Sequence, residues 1–508
     1  MAFKSIIYIK DENNLISYDL DLLTDLSLND IFKGINGNII DDNIDSILHK
    51  PLKYIENIKY RQDVFSDLMD NNLYNAVKLF SENSDILLYK IRGLNDLDDV
   101  QRKRCFLDSV YLYCNAITSL LESLKNADLK SSGFINLLDY LKNYTESDFF
   151  KSLKKESYNI EKIISSIRYK ININGNKITV KKCLNDDDFS DEIINAFSKF
   201  LDDKNFDFND DNSYEIGHVE ASIIVLVSRL YPDEFGLMSS FFEKYNNFID
   251  PVIEKFMHDI KFYLKYIIYM KRFTNYGLKF CIPKIINSGN VYADNIYDLA
   301  LAQKLIIHGN IPVANSFSFN DANILIVTGP NNGGKTTFAR SIGQVYYLSA
   351  LGLPVPGSDA ALNIPDKIFT HFEKSEAIEN PEGRLEEELK RFKKIIDEST
   401  DKSVIIINEM LSSTTIMDGI EIGKKIIDLL IKRKCHSVYV TFIHELSELN
   451  GVKSYVAQVG NDHIKRAYKI IQEKSNGMAY AHALAEKYGL SYEILIKRIK
   501  NEDLSNIN

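Results

Sequence analysis

The stretch Ile324-Leu-Ile-Val-Thr-Gly-Pro-Asn-Asn-Gly-Gly-Lys-Thr-Thr337 constrains the fold more than any other. Its apolar run, Ile324 to Val327, suits a central strand buried on both faces of a parallel sheet. Gly329 to Thr336 then fits G-x-x-x-x-G-K-[ST], the pattern of a phosphate-binding loop. Gly329, Gly333 and Gly334 let backbone N–H groups turn inward around phosphate oxygens, with Pro330, Asn331 and Asn332 filling the loop. Lys335 can reach the outer phosphates, and the Thr336 hydroxyl can ligate Mg²⁺. The helix opened by Thr336 and Thr337 aims its positive end at the anion. The expectation is an α/β domain that binds a nucleoside triphosphate.

With 508 residues the chain is too long for one core, and two to four domains are expected. A net charge of −10, with neither half rich in Lys and Arg, excludes a strongly basic nucleic-acid binder. Any DNA contact must come from local patches or from assembly of a dimer. Cys105, Cys114, Cys183, Cys281 and Cys435 form no C-x-x-C pair, which argues against a zinc site or disulfide scaffold and suits a reducing, cytoplasmic setting. The apolar patch within Met1–Lys10 lacks a long hydrophobic region and a small-residue cleavage site, so it reads as a first strand. No apolar run reaches about 18 residues, so no membrane span is expected.

Residues 1–45 read as an N-terminal segment with a turn at Asn36-Gly37-Asn38. From Ile47 the apolar spacing becomes helical, with Leu52, Ile55, Ile58, Val64 and Phe65 near a 3.6-residue period. Helical patterns continue over 68–80, 100–124, 134–144 and 149–167. Between Tyr169 and Lys182, apolar and polar residues alternate about Asn174-Gly175, the signature of a hairpin. Its lysines (170, 177, 181 and 182) read either as a phosphate-contacting tip or as ordinary edge lysines that discourage strand pairing. The acidic stretches at 186–188 and 202–211 read as solvated surface. Helical pattern resumes at Tyr214 and runs from about Asp233 to Lys279. Its uninterrupted part, Val252–Tyr276, spans roughly 40 Å, the length of a strut or lever, with Phe262, Leu264, Ile267 and Ile268 on the apolar face.

A nucleotide-hydrolysing domain needs a second strand ending in acidic residues. Val404-Ile-Ile-Ile-Asn-Glu-Met410 supplies it, with Glu409 placed to orient or activate water. Asn408 stands where an Asp usually helps to hold Mg²⁺, and its neutrality weakens metal binding. Ser412-Ser-Thr-Thr415 and Asp418-Gly419 precede an amphipathic helix, either as an anion-binding start or as a plain cap. A third strand, Ser437 to Ile443, runs into His444, which could contact a γ-phosphate or cap the next helix. Asn380 to Leu389 opens a charged helix, either a link from nucleotide state to the helical body or a solvated face.

Several of these segments match one family. Thr328-Gly-Pro-Asn-Asn-Gly-Gly-Lys-Thr-Thr337, followed by Arg340, resembles the T-G-P-N-x-G-G-K-[ST]-T loop of the MutS mismatch-repair ATPases. Asn408-Glu-Met-Leu-Ser-Ser-Thr-Thr-Ile-Met-Asp-Gly419 resembles, without gaps, their D-E-I-G-R-G-T-S-T-x-D-G. Thr441-Phe-Ile-His-Glu-Leu446 is similar to T-H-x-x-E-L, and Gly477 to Gly489 is similar to the family's C-terminal dimer-packing segment. Pro51-Leu52 to Arg61-Gln-Asp-Val64 resembles the opening of its helical core.

The resemblance implies a mixed fold, an all-α core and lever domain followed by an α/β P-loop ATPase domain of ABC type. The expected boundaries are an N-terminal segment at 1–45, a helical domain at 46–280 with a hairpin insertion near 169–182, and an ATPase domain at 281–508 ending in a helical dimerisation segment. It also implies ATP and Mg²⁺, the metal held by Thr336 and Asn408, and a homodimer paired head to tail. Thr414 and Thr415 would then act on the partner's nucleotide, and levers would carry closure to DNA. A helical core beginning near residue 47 leaves no room before it for the mismatch-recognition and connector domains.

Three departures surround the γ-phosphate: Asn408 for Asp, Leu411-Ser-Ser413 for Gly-Arg-Gly, and Phe442 where the family has its His, with His444 two residues late. They point to secure nucleotide binding with slow or absent hydrolysis. The expected function is a DNA-acting ATPase related to mismatch repair, without mismatch reading. The alternative is a nucleotide-driven dimerisation switch acting on a protein partner.

Overall fold

The computed structural model describes residues 3–9, 15–19, 21–37, 41–174, 177–183, 218–373, 383–412, 414–459 and 466–474, with isolated positions 492 and 496. The acidic stretches at 186–188 and 202–211, residues 380–382, Ser413 and the segment 477–489 lie outside the described residues. The chain divides into two compact units, one of residues 1–3, 69–129 and 134–257, the other of residues 4–68, 130–133 and 258–508.

The first unit is built on helices. Asn71–Gly93 and Asp148–Ser165 start where Asp70 and Ser147 accept backbone N–H groups of Leu73 and Phe150 at 2.9 and 3.2 Å. Asp99–Asn126 buries Phe106, Val110, Tyr113, Ile117, Leu120 and Leu124, one stripe at helical spacing. Phe106 meets Phe242 and Phe248 edge-on at 4.9 and 5.3 Å between centroids. Tyr169–Asn174 and Lys177–Lys182 pair antiparallel, Asn174 opposite Lys177, as the alternating pattern requires. The Lys182 ammonium lies 4.5 Å from the Tyr231 ring centroid.

The second unit holds a seven-stranded sheet. Its strands are β1 (Ser17–Tyr18), β2 (Ile324–Thr328), β3 (Lys367–Phe372), β4 (Val404–Asn408), β5 (His436–Val440), β6 (Val452–Val459) and β7 (Arg466–Gln472). Their spatial order is β1-β3-β4-β5-β2-β6-β7, parallel except for the β6–β7 pair. Every residue of β2 and β4 is buried, which is why both read as unbroken apolar runs rather than alternating ones. A four-stranded sheet runs in the order Lys284–Ile285, Asp359–Leu362, Tyr292–Ile296, Asn315–Ser318.

Two sequence expectations are corrected. Among the described residues 3–9 there is no strand. Ile6 and Ile7 are fully buried, but their carbonyls accept side-chain donors, the Tyr263 hydroxyl at 2.7 Å and Arg61 Nε at 3.2 Å, instead of a strand's N–H groups. The sheet edge is taken by Ser17–Tyr18.

The long helix expected near 252–276 is present as Pro251–Thr274, but it is not set apart from a core as a strut would be. The helix Pro232–Lys244 ends before Pro251–Thr274 begins. The latter buries Ile260, Phe262, Tyr263, Leu264, Tyr266, Ile267, Tyr269 and Phe273, while Ile268 is 43% exposed. Three tyrosine hydroxyls on it bond to Ile6 O, Pro354 O and Gln303 Oε1 at 2.7, 2.6 and 2.9 Å. From His258 onward this helix is core, held by its neighbours on several sides. An Arg61 buried beneath it donates to Ile7 O and Leu351 O, which offsets part of the burial that lowers its pKa.

Candidate nucleotide site

Parallel strands bring their carboxyl ends to one edge of a sheet, and ligands gather there. In this sheet that edge carries the loop after β2 and the turn after β4. Their mutual position is set by the ladder, which continues past the strands: Glu409 N donates to Val440 O at 2.9 Å and Thr441 N to Val327 O at 3.0 Å.

The loop's glycines have specific reasons. Gly329 has φ +125°, and a Cβ there would lie 2.9 Å from Ala457 Cβ and 3.1 Å from its backbone. Gly334, at φ +93°, turns the chain into the helix Lys335–Ala350. Gly333 N donates to Pro330 O at 3.1 Å and closes the loop, while Asn332 takes a left-handed φ of 58°. Arg340, one turn into the helix, is held by Asp298 and Ser27.

Lys335 is 3% exposed, and its ammonium folds back on the loop. It donates to Gly329 O at 2.9 Å, Pro330 O at 3.1 Å and Asn331 Oδ1 at 3.4 Å, with Glu409 Oε1 at 3.9 Å. Burial lowers its pKa and the Glu409 carboxylate opposes that shift. The Thr336 hydroxyl donates to Asn408 Oδ1 at 2.8 Å, joining the helix start to the end of β4. Two oxygens therefore converge beside the loop, a donor set suited to a hard cation such as Mg²⁺.

A cleft of about 790 Å³ opens here, the size of a small-molecule site. Asn331, Asn332, Gly334, Lys335, Thr336, Thr337 and Glu409 line it. Ile311, Pro312 and Val313 add apolar lining, and Tyr468 lines the β7 side. Asn315 fixes that side by donating to Tyr468 O at 3.2 Å and accepting from Ile470 N at 2.8 Å. Sequence reasoning missed Asn315 and Tyr468, because β7 comes beside the loop only through the sheet order.

The match to the MutS domain V family model covers residues 325–501, the part of the chain that contains this loop, β4 and β5. The chain is 28% identical over 225 residues to the DNA mismatch repair protein MutS of Clostridium kluyveri, covering 42% of this chain and 26% of that protein. It is 28% identical over 193 residues to the DNA mismatch repair protein MutS of Prochlorococcus marinus, covering 36% and 21%. The corresponding protein of Thermotoga maritima is 28% identical over 207 residues, covering 37% and 25%. The chain is thus similar to MutS proteins over this part of its length. It spans about a quarter of the length of the curated MutS relatives it matches.

The remaining candidates lie apart from the cleft. Thr414, Thr415 and His444 are not among its lining residues. Thr415 is the N-cap of the helix Ile416–Arg433, accepting from Asp418 N at 3.2 Å and donating to its carboxylate at 2.8 Å. His444 opens a short 3₁₀ turn and pairs with Glu445 at 3.3 Å. Ile416, Met417 and Phe442 are 63%, 74% and 44% exposed.

The turn after β4 is strained. Glu409 and Leu411 have φ of +53° and +69°, a left-handed conformation that costs a non-glycine residue about 1–3 kcal/mol. Leu411, where the family pattern has glycine, is nevertheless fully buried.

Proposed function

We infer that this chain binds ATP with Mg²⁺ and hydrolyses it slowly, in a head-to-tail homodimer whose closure acts on DNA. The observation that carries the reading is the meeting of Lys335, Thr336 and Glu409 in one cleft, with Asn408 bonded to the Thr336 hydroxyl. Triphosphate oxygens replace the Gly329 and Pro330 carbonyls as acceptors for the Lys335 ammonium, and the loop N–H groups surround them. Thr336 and Asn408 would hold Mg²⁺, which when bound would neutralise phosphate charge. Glu409 orients the water that adds to the γ-phosphorus as the bond to the bridging oxygen breaks, giving ADP and phosphate. Asn408 lacks the charge of an Asp, so metal binding and turnover are weak.

Thr414 and Thr415 serve the partner's nucleotide, a role that fits their place outside their own cleft and beside the exposed Ile416 and Met417. His444 takes no part in this reading. The DNA role rests on the family and on relatives named DNA mismatch repair proteins.

DNA binding by the purified protein, with and without ATP, over a salt series tests the whole reading. Phosphate contacts make log affinity fall linearly with log salt. Binding that is undetectable with and without ATP removes the DNA role. ATP turnover in the same samples tests hydrolysis: Glu409→Gln is expected to abolish it while nucleotide binding persists, and unchanged turnover removes the role given to Glu409.

A further inference from the structure

We propose that Glu388 is a positioning residue for the ATP site, its buried carboxylate pinning the Leu411 amide and so fixing the turn that presents Glu409. The proposal rests on the reading of Glu409 as the residue that orients water. Glu388 lies on the helix Arg384–Glu398, on the same face as Phe392, Ile395 and Ile396, which are all buried. The charged composition of this helix suggests a solvated face, but Glu388 itself is only 8% exposed. A carboxylate in that position is costly unless it is bonded. Its Oε2 accepts the N–H of Leu411 at 3.1 Å. Together with burial, the charge of Glu388 also raises the pKa of the Tyr439 hydroxyl on β5, a second sign that the carboxylate points into the sheet's end.

The acceptor sits where the backbone most needs one. Glu409 and Leu411 both hold left-handed conformations that their side chains disfavour, and such conformations persist only when their surroundings hold them. The β4 ladder fixes Asn408 and Glu409 through Val440 O, and Thr336 fixes the Asn408 side chain. Past that point, the Glu388 bond to the Leu411 amide fixes the far side of the turn. With both ends held, the Glu409 carboxylate stays 3.9 Å from Lys335. Without the tether the turn can relax toward ordinary φ values, which carries Glu409 away from the cleft while leaving the phosphate loop untouched.

The test uses the full chain with Glu388→Ala, Glu388→Met, which keeps volume but provides no good acceptor, and Glu388→Gln, whose amide oxygen still accepts. ATP turnover, nucleotide affinity and amide hydrogen exchange of peptides covering residues 409–412 are measured, with Glu409→Gln as the turnover background. In Ala and Met, kcat is expected to fall roughly 10- to 100-fold with nucleotide affinity within about threefold of wild type. Exchange at 409–412 should accelerate, and Gln should retain both properties. If Ala fails to fold, Met decides.

Turnover in Met within about threefold of wild type overturns the proposal. So does an equal loss in Gln and Met, or a loss of affinity matching the loss of kcat. Wild-type turnover no higher than the Glu409→Gln background overturns the hydrolysis reading and the positioning role together. Unaltered exchange in Met overturns the tether whatever the turnover.

Discussion

At the scale of single residues, Asn408 decides most. Its amide oxygen accepts the Thr336 hydroxyl, as a carboxylate there could, but it brings no charge. Charge-assisted contacts are about twice as strong as neutral ones. Asn408→Asp is therefore expected to lower the Mg²⁺ concentration needed for half-maximal ATP turnover by about tenfold, ~1.4 kcal/mol, in a Mg²⁺ titration. An unchanged titration would mean that the metal is held by Thr336 and the phosphates alone.

At the scale of elements, β5 carries a titration. His436 at its start stacks on Phe319 with centroids 4.3 Å apart and meets the Tyr346 hydroxyl through Nδ1 at 3.1 Å. Burial pushes its pKa down from 6.5 to about 4. The unfolded chain therefore takes up this proton first as pH falls. The stability contributed by the neutral ring is present above pH 6.5 and is lost between 6.5 and about 4. Its size is up to about 3 kcal/mol. His436→Phe, which stacks but cannot titrate, should flatten the fall in Tm across that window, and an identical slope would assign the acid loss to other groups.

At the scale of the whole molecule, the proposed head-to-tail pairing would bring Thr414 and Thr415, which lie outside their own cleft, to the nucleotide of a second copy. ATP is expected to shift wild type from monomer to dimer in sedimentation velocity. Lys335→Ala should remain monomeric because it cannot hold nucleotide. Met417→Glu, which puts a charge at a residue 74% exposed, should bind nucleotide but weaken dimerisation at least about tenfold. Equal dimerisation in all three proteins would exclude nucleotide-driven pairing through this face.

Local chemistry made part of this protein legible without coordinates. A phosphate loop needs Gly-rich backbone and Lys335 next to one another in the chain, so the candidate nucleotide site is legible in consecutive residues. The buried strands β2 and β4 follow likewise, because a strand covered on both faces is apolar at every position. What tertiary structure alone decided depends on groups distant in sequence. The apolar start of the chain is buried without becoming a strand, because side chains of Arg61 and Tyr263 take its carbonyls. A long apolar helix is core from His258 onward, because only packing shows which of its sides are covered. Glu388, one acid among several in a charged helix, is set apart by the amide of Leu411, which the chain brings beside it only after β4 has taken its place in the sheet.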